Sequence, residues 1–140
     1  MPESIAEVMT RDPLTVPADA TATDAARIMR DGAIGDVIVM KSDGGVCGIV
    51  TDRDLALRVV AEGRNPTTMT MAGICGHHVV SISSGEPVST AVRLMREHDV
   101  RRLPVVDHGQ LVGIVSLGDL ALDRDPMSAL ADISAAPPNN

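Results

Sequence analysis

Two seven-residue stretches decide the fold: Gly48–Asp54 reads GIVTDRD and Gly113–Asp119 reads GIVSLGD. Each contains a glycine, two β-branched residues, a hydroxyl side chain, two variable positions and an aspartate. β-Branched residues favour a strand, and a hydroxyl followed three residues later by an acid is typical of a helix N-terminus. Each stretch therefore predicts a strand that ends where a helix begins.

The similarity extends outward from these stretches into a repeat of the whole chain. Upstream, matching residues are separated by 66 positions, and after a single gap they are separated by 65. The matched pairs are Thr15/Ser81, Met29/Met95, Arg30/Arg96, Val39/Val105, Gly48/Gly113, Asp54/Asp119 and Leu55/Leu120. The gap falls between the turn-rich segments Lys41–Gly45 and Asp107–Gly109, where a repeat tolerates a change of length. The chain is therefore two copies of one unit.

Each copy predicts the element order β-α-β-β-α. The apolar residues of the first helix recur at i, i+3, i+4 and i+7, which indicates one buried helix face. They are Ala22, Ala25, Ala26 and Met29 in copy one and Val88, Ala91, Val92 and Met95 in copy two. Pro87 suits the first position of the second of these helices. The predicted strands are Leu14–Val16, Val37–Met40, Val46–Val50, Val79–Ile82, Leu103–Val106 and Leu111–Val115, and the last helices begin near Asp52 and Leu117.

This element order predicts an α/β fold with α+β layers, in which two βαββα repeats pack through their sheets with pseudo-two-fold symmetry. One copy of about 50 residues would bury too little apolar surface by itself, so we expect the two to share a core. The predicted boundaries are 4–61 for repeat one, 62–68 for a linker, 69–124 for repeat two and 125–140 for a tail. Short helical segments, Ile5–Met9 and Met69–Ile74, lead into the two copies.

Composition limits the function. The 140 residues are 44% hydrophobic, contain no Phe, Tyr or Trp, and carry a net charge of −7. That balance argues against a nucleic-acid partner, because phosphate backbones are bound by clustered Lys and Arg. The sequence has no apolar run of about 18 residues and no signal-peptide pattern, so we expect no membrane span. Two cysteines do not make a disulfide framework, and the cytoplasm is the expected compartment.

The strand-to-helix motif has two compatible interpretations. As a capping box, Thr51 and Asp54, or Ser116 and Asp119, would satisfy free N–H groups at a helix start. As a ligand site, the helix N-terminus would attract a phosphate, while the hydroxyl donates to it and the carboxylate accepts from ribose hydroxyls. The occurrence of glycine, hydroxyl and acid in both copies favours the ligand site, and the same groups could cap the helix in an empty cleft.

The repeat, the GIVTDRD and GIVSLGD motifs and the stretch Val100–Asp107 (VRRLPVVD) resemble a tandem pair of cystathionine-β-synthase (CBS) domains, also called a Bateman module. The resemblance covers Ser4 to Asp123. It implies a stand-alone CBS-domain protein whose clefts between the copies hold AMP, ADP, ATP or S-adenosylmethionine. The implied function is a cytoplasmic adenine-nucleotide sensor that needs no other cofactor and regulates a separate protein.

The family pattern assigns roles by position. Asp54 and Asp119 would bind ribose hydroxyls, and Thr51 and Ser116 would contact phosphate or ribose. Thr15, Ala20, Ser81 and Glu86 would lie at the adenine edge, Gly35, Val37, Val100, Arg101 and Arg102 would line the floor, and Pro104 keeps a proline that is frequent in the family. Apart from the family pattern, the position of Arg53 beside Thr51 favours a ligand contact. The alternative for Arg53 is a surface helix residue, and for Arg101 and Arg102 a solvated face paired with Glu97 and Asp99.

Copy one departs from the family pattern at two positions. Asp36 aligns with Arg102, and Ile38 aligns with Pro104. In copy two, Glu86 replaces a small residue. These changes predict unequal occupancy of the two clefts.

The sequence predicts no enzyme, because it suggests no catalytic triad and contains no phosphate loop. The alternatives are a ligand-free dimerisation or protein-interaction module with vestigial clefts, or a sensor of S-adenosylmethionine or NAD. We expect a homodimer through apolar helix faces that include Leu55, Leu57 and Val59–Val60. His77–His78 would need distant partners to bind a metal. Cys47 is expected to be a buried small hydrophobe, and Cys75 a thiol without a catalytic helper.

Overall fold

The computed structural model describes residues 4–75 and 79–124, which form a mixed α/β fold with two three-stranded sheets, and this confirms the predicted fold class. The helices are α1 (Ile5–Val8), α2 (Ala22–Gly32), α3 (Asp52–Leu55), α4 (Val88–His98) and α5 (Leu117–Arg124). The strands are β1 (Thr10–Arg11), β2 (Thr15–Pro17), β3 (Asp36–Met40), β4 (Val46–Thr51), β5 (Arg102–Asp107) and β6 (Gln110–Ser116). A π-helical turn (Ala56–Val60) continues α3, and a 3₁₀ turn (Met71–Gly73) follows it.

Two compact units divide the described residues. The first unit contains 14–75 and Val79, and its sheet has the order β2-β3-β4, with β2 parallel and β4 antiparallel to β3. The second unit contains 4–13 and 80–124, and its sheet has the order β1-β6-β5, all antiparallel. The N-terminal segment thus belongs to the unit that carries the second copy's hairpin.

The predicted helix stripes form the cores. Ala22, Ala25 and Met29 of α2 are buried in the first unit, and Val88, Ala91 and Met95 of α4 are buried in the second. Ala26, at the edge of the stripe, is exposed, and Val92 is half-buried. Full burial of a Val or Met side chain stabilises the fold by about 1.5–3 kcal/mol relative to exposure, and burial of an Ala methyl group by less. The 3.6-residue period therefore located both buried faces correctly.

The first strand of copy two is shorter than predicted. Only Ile82 pairs there, as an isolated parallel bridge to Val105. In the first unit the N–H of Ile38 donates to the carbonyl of Leu14 at 3.1 Å. The residue equivalent to Ile38 is Pro104, which has no N–H to donate. The proline therefore removes one bond of the ladder and limits the strand to a bridge.

The helix termini follow the expected pattern with one correction. Thr21 and Asp24 form a capping box at α2, in which each side chain accepts from the other residue's backbone N–H. Pro87 is the N-cap of α4, so the helix begins one residue later than predicted, at Val88. No helix in 4–75 or 79–124 has the length and apolar character needed to cross a membrane.

A disulfide joins Cys47 in β4 to Cys75, with their Cα atoms 6.5 Å apart. The expectation of two separate cysteines was therefore wrong. The bridge spans 28 positions of sequence, and only the fold brings the two residues together. The histidines His77 and His78 and the tail 125–140 lie outside the described residues.

Candidate functional site

The end of β4 forms a reciprocal hydrogen-bonded turn. The backbone N–H of Thr51 donates to Oδ2 of Asp54 at 2.8 Å, and the N–H of Asp54 donates to Oγ1 of Thr51 at 3.1 Å. Both side chains are half-buried. The structure therefore shows the capping-box geometry expected for this stretch.

The end of β6 repeats this geometry. Ser116 donates its N–H to Oδ2 of Asp119 at 2.8 Å, and Asp119 donates its N–H to Oγ of Ser116 at 3.1 Å. Both residues are again half-buried. The two copies therefore present the same donor and acceptor groups at equivalent strand ends.

The loop before each central strand lies against this turn. The N–H of Asp52 donates to the carbonyl of Gly35 at 2.9 Å, and the N–H of Leu117 donates to the carbonyl of Arg101 at 2.8 Å. The structure thus brings the expected floor residues Gly35 and Arg101 beside the expected ribose and phosphate residues. A Cβ on Gly35 would lie 3.3 Å from Oδ2 of Asp52, so this glycine permits a close approach.

Thr15 and the turn at the end of β4 lie on the same face of the first sheet. Thr15 is paired with Ile38, and Ile38 with Ile49, two residues before Thr51. Cross-strand partners and residues two apart share a face, so these side chains lie on the face opposite Val37 and Val39, a face on which Ile38 is itself fully buried. Strand spacing and rise place the backbones of Thr15 and Thr51 about 12 Å apart.

The second sheet has the same arrangement. Arg102 lies opposite Ser116, and Pro104 lies opposite Ile114, on the face that does not carry the core residues. Ser81 is exposed and precedes the buried Ile82.

Three expected ligand residues have side chains that pack into the cores. Val37 is 1% exposed and belongs to the core of the first unit. Ala20 packs against the same core, and Val100 packs against the core of the second unit. Strand alternation explains Val37, because its neighbours Asp36 and Ile38 point to the other face. Val37 can therefore offer a ligand only its backbone atoms, whereas Ala20 and Val100 are half-buried.

Charge differs between the two turns. Asp36 lies opposite Thr51, and Asp52 follows Thr51, so the first turn has two further carboxylates beside it. At the equivalent positions the second turn has Arg102 and Leu117. The side chain of Arg53 is exposed beside the first turn, and that of Arg101 is exposed beside the second. The described residues beside the first turn thus include more carboxylates than those beside the second.

A cavity of about 620 Å³ lies beside Thr15 in the first unit. Its lining includes Asp19, Lys41 and Thr70. A second cavity of about 420 Å³ borders Asp52 and Leu55. Both volumes lie within the range of pockets for small ligands.

Asp107 was missed by the sequence analysis as an anchoring residue. Its carboxylate accepts from the hydroxyls of Ser83 and Ser84 and from the backbone N–H of Ser84 at 2.9 Å. The hydroxyl and the N–H of Ser84 hold the pKa of this carboxyl below its usual value. Asp107 thus ties the segment before α4 to the end of β5. An acid at the end of a strand was the only available signal.

Metal ligands do not cluster in the part of the chain that the structure describes. Among residues 4–75 and 79–124, no three His, Cys, Asp or Glu side chains come together in a way that could hold a metal ion.

Comparison with known proteins identifies the family. The model of the CBS domain matches residues 5–61 and 72–122. The chain is 38% identical over 135 residues to the CBS domain-containing protein YhcV of Bacillus subtilis, covering 94% of this chain and 95% of YhcV. It is 37% identical over 118 residues to the uncharacterized protein MK0525 of Methanopyrus kandleri, covering 84% of this chain and only 60% of MK0525.

A solved structure agrees with this result. A protein from Burkholderia ambifaria, described as a proposed signal-transduction protein with CBS domains, superimposes with a TM-score of 0.80 at 30% identity. The match covers 89% of this chain and 96% of that one. Sequence match, paired turns and fold agree, and the chain belongs to the CBS domain family, with the domain present twice.

Proposed function

We propose that this chain is a regulatory module that binds an adenine nucleotide at its strand-end turns. AMP, ADP and ATP are the ligands that the residues fit best. The proposal is supported by the two equivalent turns, Thr51/Asp54 and Ser116/Asp119, which have equal hydrogen-bond distances. The module has no chemistry of its own and passes its ligand state to a separate protein in the cytoplasm.

The turns keep unused hydrogen-bonding capacity. Among the described residues, the carboxylate of Asp54 accepts through Oδ2, which leaves Oδ1 to accept from a ribose hydroxyl. The hydroxyl of Thr51 accepts in the cap, so its O–H can still donate to a phosphate or ribose oxygen. Asp119 and Ser116 have the same capacity. A ligand can therefore bind without the cap being dismantled.

The span of the first sheet face also supports a nucleotide. Thr15 stands about 12 Å from Thr51 by strand geometry, a separation that suits a base at one end and a ribose or phosphate at the other. With no aromatic residue in the chain, the base must be held by aliphatic groups and backbone atoms. The charged end of the ligand must then supply much of the binding free energy.

The test is a titration of the purified protein with adenosine, AMP, ADP, ATP, NAD and S-adenosylmethionine. Binding is measured by calorimetry and by the shift of the thermal unfolding midpoint. A ligand that binds only the folded state raises the unfolding midpoint. We expect at least one adenine nucleotide to bind and adenosine to bind much more weakly. The proposal fails if AMP, ADP and ATP all fail to bind at millimolar concentration, and binding of NAD or S-adenosylmethionine alone would favour the alternative sensor.

The alternative is an assembly module, and one observation favours it. Leu57 and Val60 are 48% and 74% exposed on the π-helical turn that continues α3. Val60 also lines a mostly apolar cavity of about 340 Å³, together with Arg27 and Arg30. We propose a homodimer through this surface, which is compatible with either function. Val59, expected there as well, is 1% exposed and belongs to the core.

A further inference from the structure

We propose that the Cys47–Cys75 disulfide is a reversible redox bridge that controls the rigidity of the Thr51–Asp54 turn, and through it the ligand affinity of the first unit. The control of rigidity stands on the structure of the first unit alone. The control of affinity rests on the proposed function.

The disulfide closes a ring around the turn. Cys47 lies in β4, four residues before Thr51, so it is fixed to the strand that leads into the turn. Cys75 directly follows Ile74, whose carbonyl accepts a hydrogen bond from the guanidinium of Arg58. Arg58 lies four residues after Asp54, in the helical run that leaves the turn.

The ring therefore holds both sides of the turn through one covalent bond. The strand before the turn is held by Cys47, and the helix after it is held by the contact from Arg58 to Ile74. Val59, next to Arg58, and Ile74 are both buried in the core of the first unit. After reduction of the disulfide, the helix that follows the turn would be held only by the packing of Val59 and Ile74 and by the hydrogen bond from Arg58 to Ile74.

The second unit is an internal comparison without a bridge. By the repeat, Cys75 corresponds to Met9 and Cys47 to Val112. Met9 and Val112 are partly buried and pack against the core of their own unit. The second turn nonetheless has the same hydrogen-bond geometry as the first. The fold therefore does not need a cross-link at this place, which points to a role other than formation of the turn.

The position of the bridge suits thiol exchange. Cys47 is half-buried and Cys75 is 7% exposed, so Cys47 is the more accessible residue of the pair. A thiolate of a cellular dithiol protein or of glutathione attacks Sγ of Cys47, and the Cys75 thiolate leaves. A second thiolate displaces the mixed disulfide and releases the oxidised reductant. The net change is two electrons and two protons gained by the pair.

The experiment compares the full-length protein with and without a dithiol reductant, using hydrogen–deuterium exchange, thiol counting by alkylation and nucleotide titration. We expect no free thiol before reduction and two after it. Removing a native disulfide typically raises an unfolding constant by about 30- to 1000-fold, and local opening of residues 46–60 is expected to rise by a similar factor. Exchange in β6 of the second unit should not change.

Two variants serve as controls. Cys47→Val with Cys75→Met installs the residues of the second unit, and Cys47→Val with Cys75→Ala avoids any overpacking by the methionine. Both should behave like the reduced protein and should not respond to reductant. The control of rigidity would be overturned if hydrogen exchange in 46–60 were the same in the oxidised and reduced protein. The disulfide itself would be overturned if the thiols were free on isolation in air, or were freed only by a zinc chelator.

The nucleotide titration separates this proposal from the proposed function. AMP or ATP should bind the first unit several-fold more weakly after reduction, with Ser116→Ala/Asp119→Ala as the background that isolates the first site. Unchanged affinity of a nucleotide that does bind would overturn the control of affinity. If no nucleotide binds in either redox state, the proposed function fails, while the exchange result still decides the control of rigidity.

Discussion

Thr51 and Asp54 each accept a hydrogen bond from the other's backbone N–H, at 3.1 and 2.8 Å, and Ser116 and Asp119 do the same at the same distances. The groups that start a helix in each repeat are thus the groups proposed to bind ligand. Experiments on these residues must separate loss of stability from loss of binding.

Substitution of Thr51 by Ala should destabilise the protein by about 0.5–2 kcal/mol, because the N-cap acceptor for the Asp54 N–H is lost. Thr51→Ser keeps the hydroxyl, as Ser116 does, and should cost much less. Urea unfolding of both variants checks the prediction. Equal stabilities for the alanine and serine variants would mean that the hydroxyl does not stabilise the helix start.

Asp119→Ala should weaken adenine-nucleotide binding more than Asp54→Ala does. The second turn lies beside Arg101 and Arg102, whereas the first lies beside Asp36 and Asp52, which repel a phosphate. Loss of hydrogen bonds to a charged acceptor costs about 1.5–3 kcal/mol of binding free energy.

Calorimetric titration of the two variants measures this difference, with the unfolding midpoint of each recorded in parallel. Both substitutions remove the same cap, so their effects on stability should be alike. An equal loss of affinity, or a larger loss for Asp54→Ala, would show that the ranking is wrong.

Replacement of Arg101 and Arg102 by Gln should lower nucleotide affinity, and added salt should lower the affinity of the wild type. Phosphate attraction is Coulombic and is screened over about 8–10 Å at ordinary ionic strength, whereas apolar burial is not. The matched control is Arg96→Gln, an exposed arginine of α4 in the same unit. Nucleotide affinity is measured by titration at low and at moderate salt. The prediction is contradicted if the double variant, the control and the wild type bind with equal affinity.

Val60→Asp should dissociate the proposed homodimer. This side chain is 74% exposed and lines the apolar cavity of about 340 Å³, and a carboxylate there would have to be desolvated in an apolar interface. Light scattering and sedimentation measure the change. Gln110→Asp adds the same charge at an exposed hairpin position and should leave the assembly intact. A wild-type protein that is monomeric at all practical concentrations would refute the dimer.

Acid should destabilise the protein partly through Asp107. Because Ser84 lowers the pKa of this carboxyl in the folded state, its contribution to stability is present above the unfolded pKa. That contribution is lost as the pH falls from the unfolded value through the lower folded value. Thermal unfolding between pH 7 and pH 3, with Asp107→Asn beside the wild type, checks the prediction.

Asp107→Asn should be less stable than the wild type at neutral pH, and the two should converge in acid. Asp19→Asn, which removes an exposed acid elsewhere, is the matched control. A constant difference between Asp107→Asn and the wild type across this range would show that the carboxylate charge contributes nothing.

The sequence by itself determined the repeat, the element order and the buried helix faces. The 3.6-residue spacing in α2 and α4 depends only on neighbours along one helix, and the GIVTDRD and GIVSLGD motifs carry their own strand end and cap. Such features are local, so a single sequence contains the information that fixes them. Even the shortened first strand of copy two has a readable cause in Pro104.

Only the tertiary structure decided which distant residues meet. Three contacts join residues that are 16 to 28 positions apart in the sequence: the Cys47–Cys75 bridge, the hydrogen bond from Arg58 to Ile74, and the hydrogen bonds from Ser84 to Asp107. Such contacts depend on sheet order and register, which spacing along the chain does not encode. The same reason explains Val37 and Val59: their hydrophobicity was evident, but only the direction of a pleat or a helix face placed them in the core instead of at a ligand or an interface.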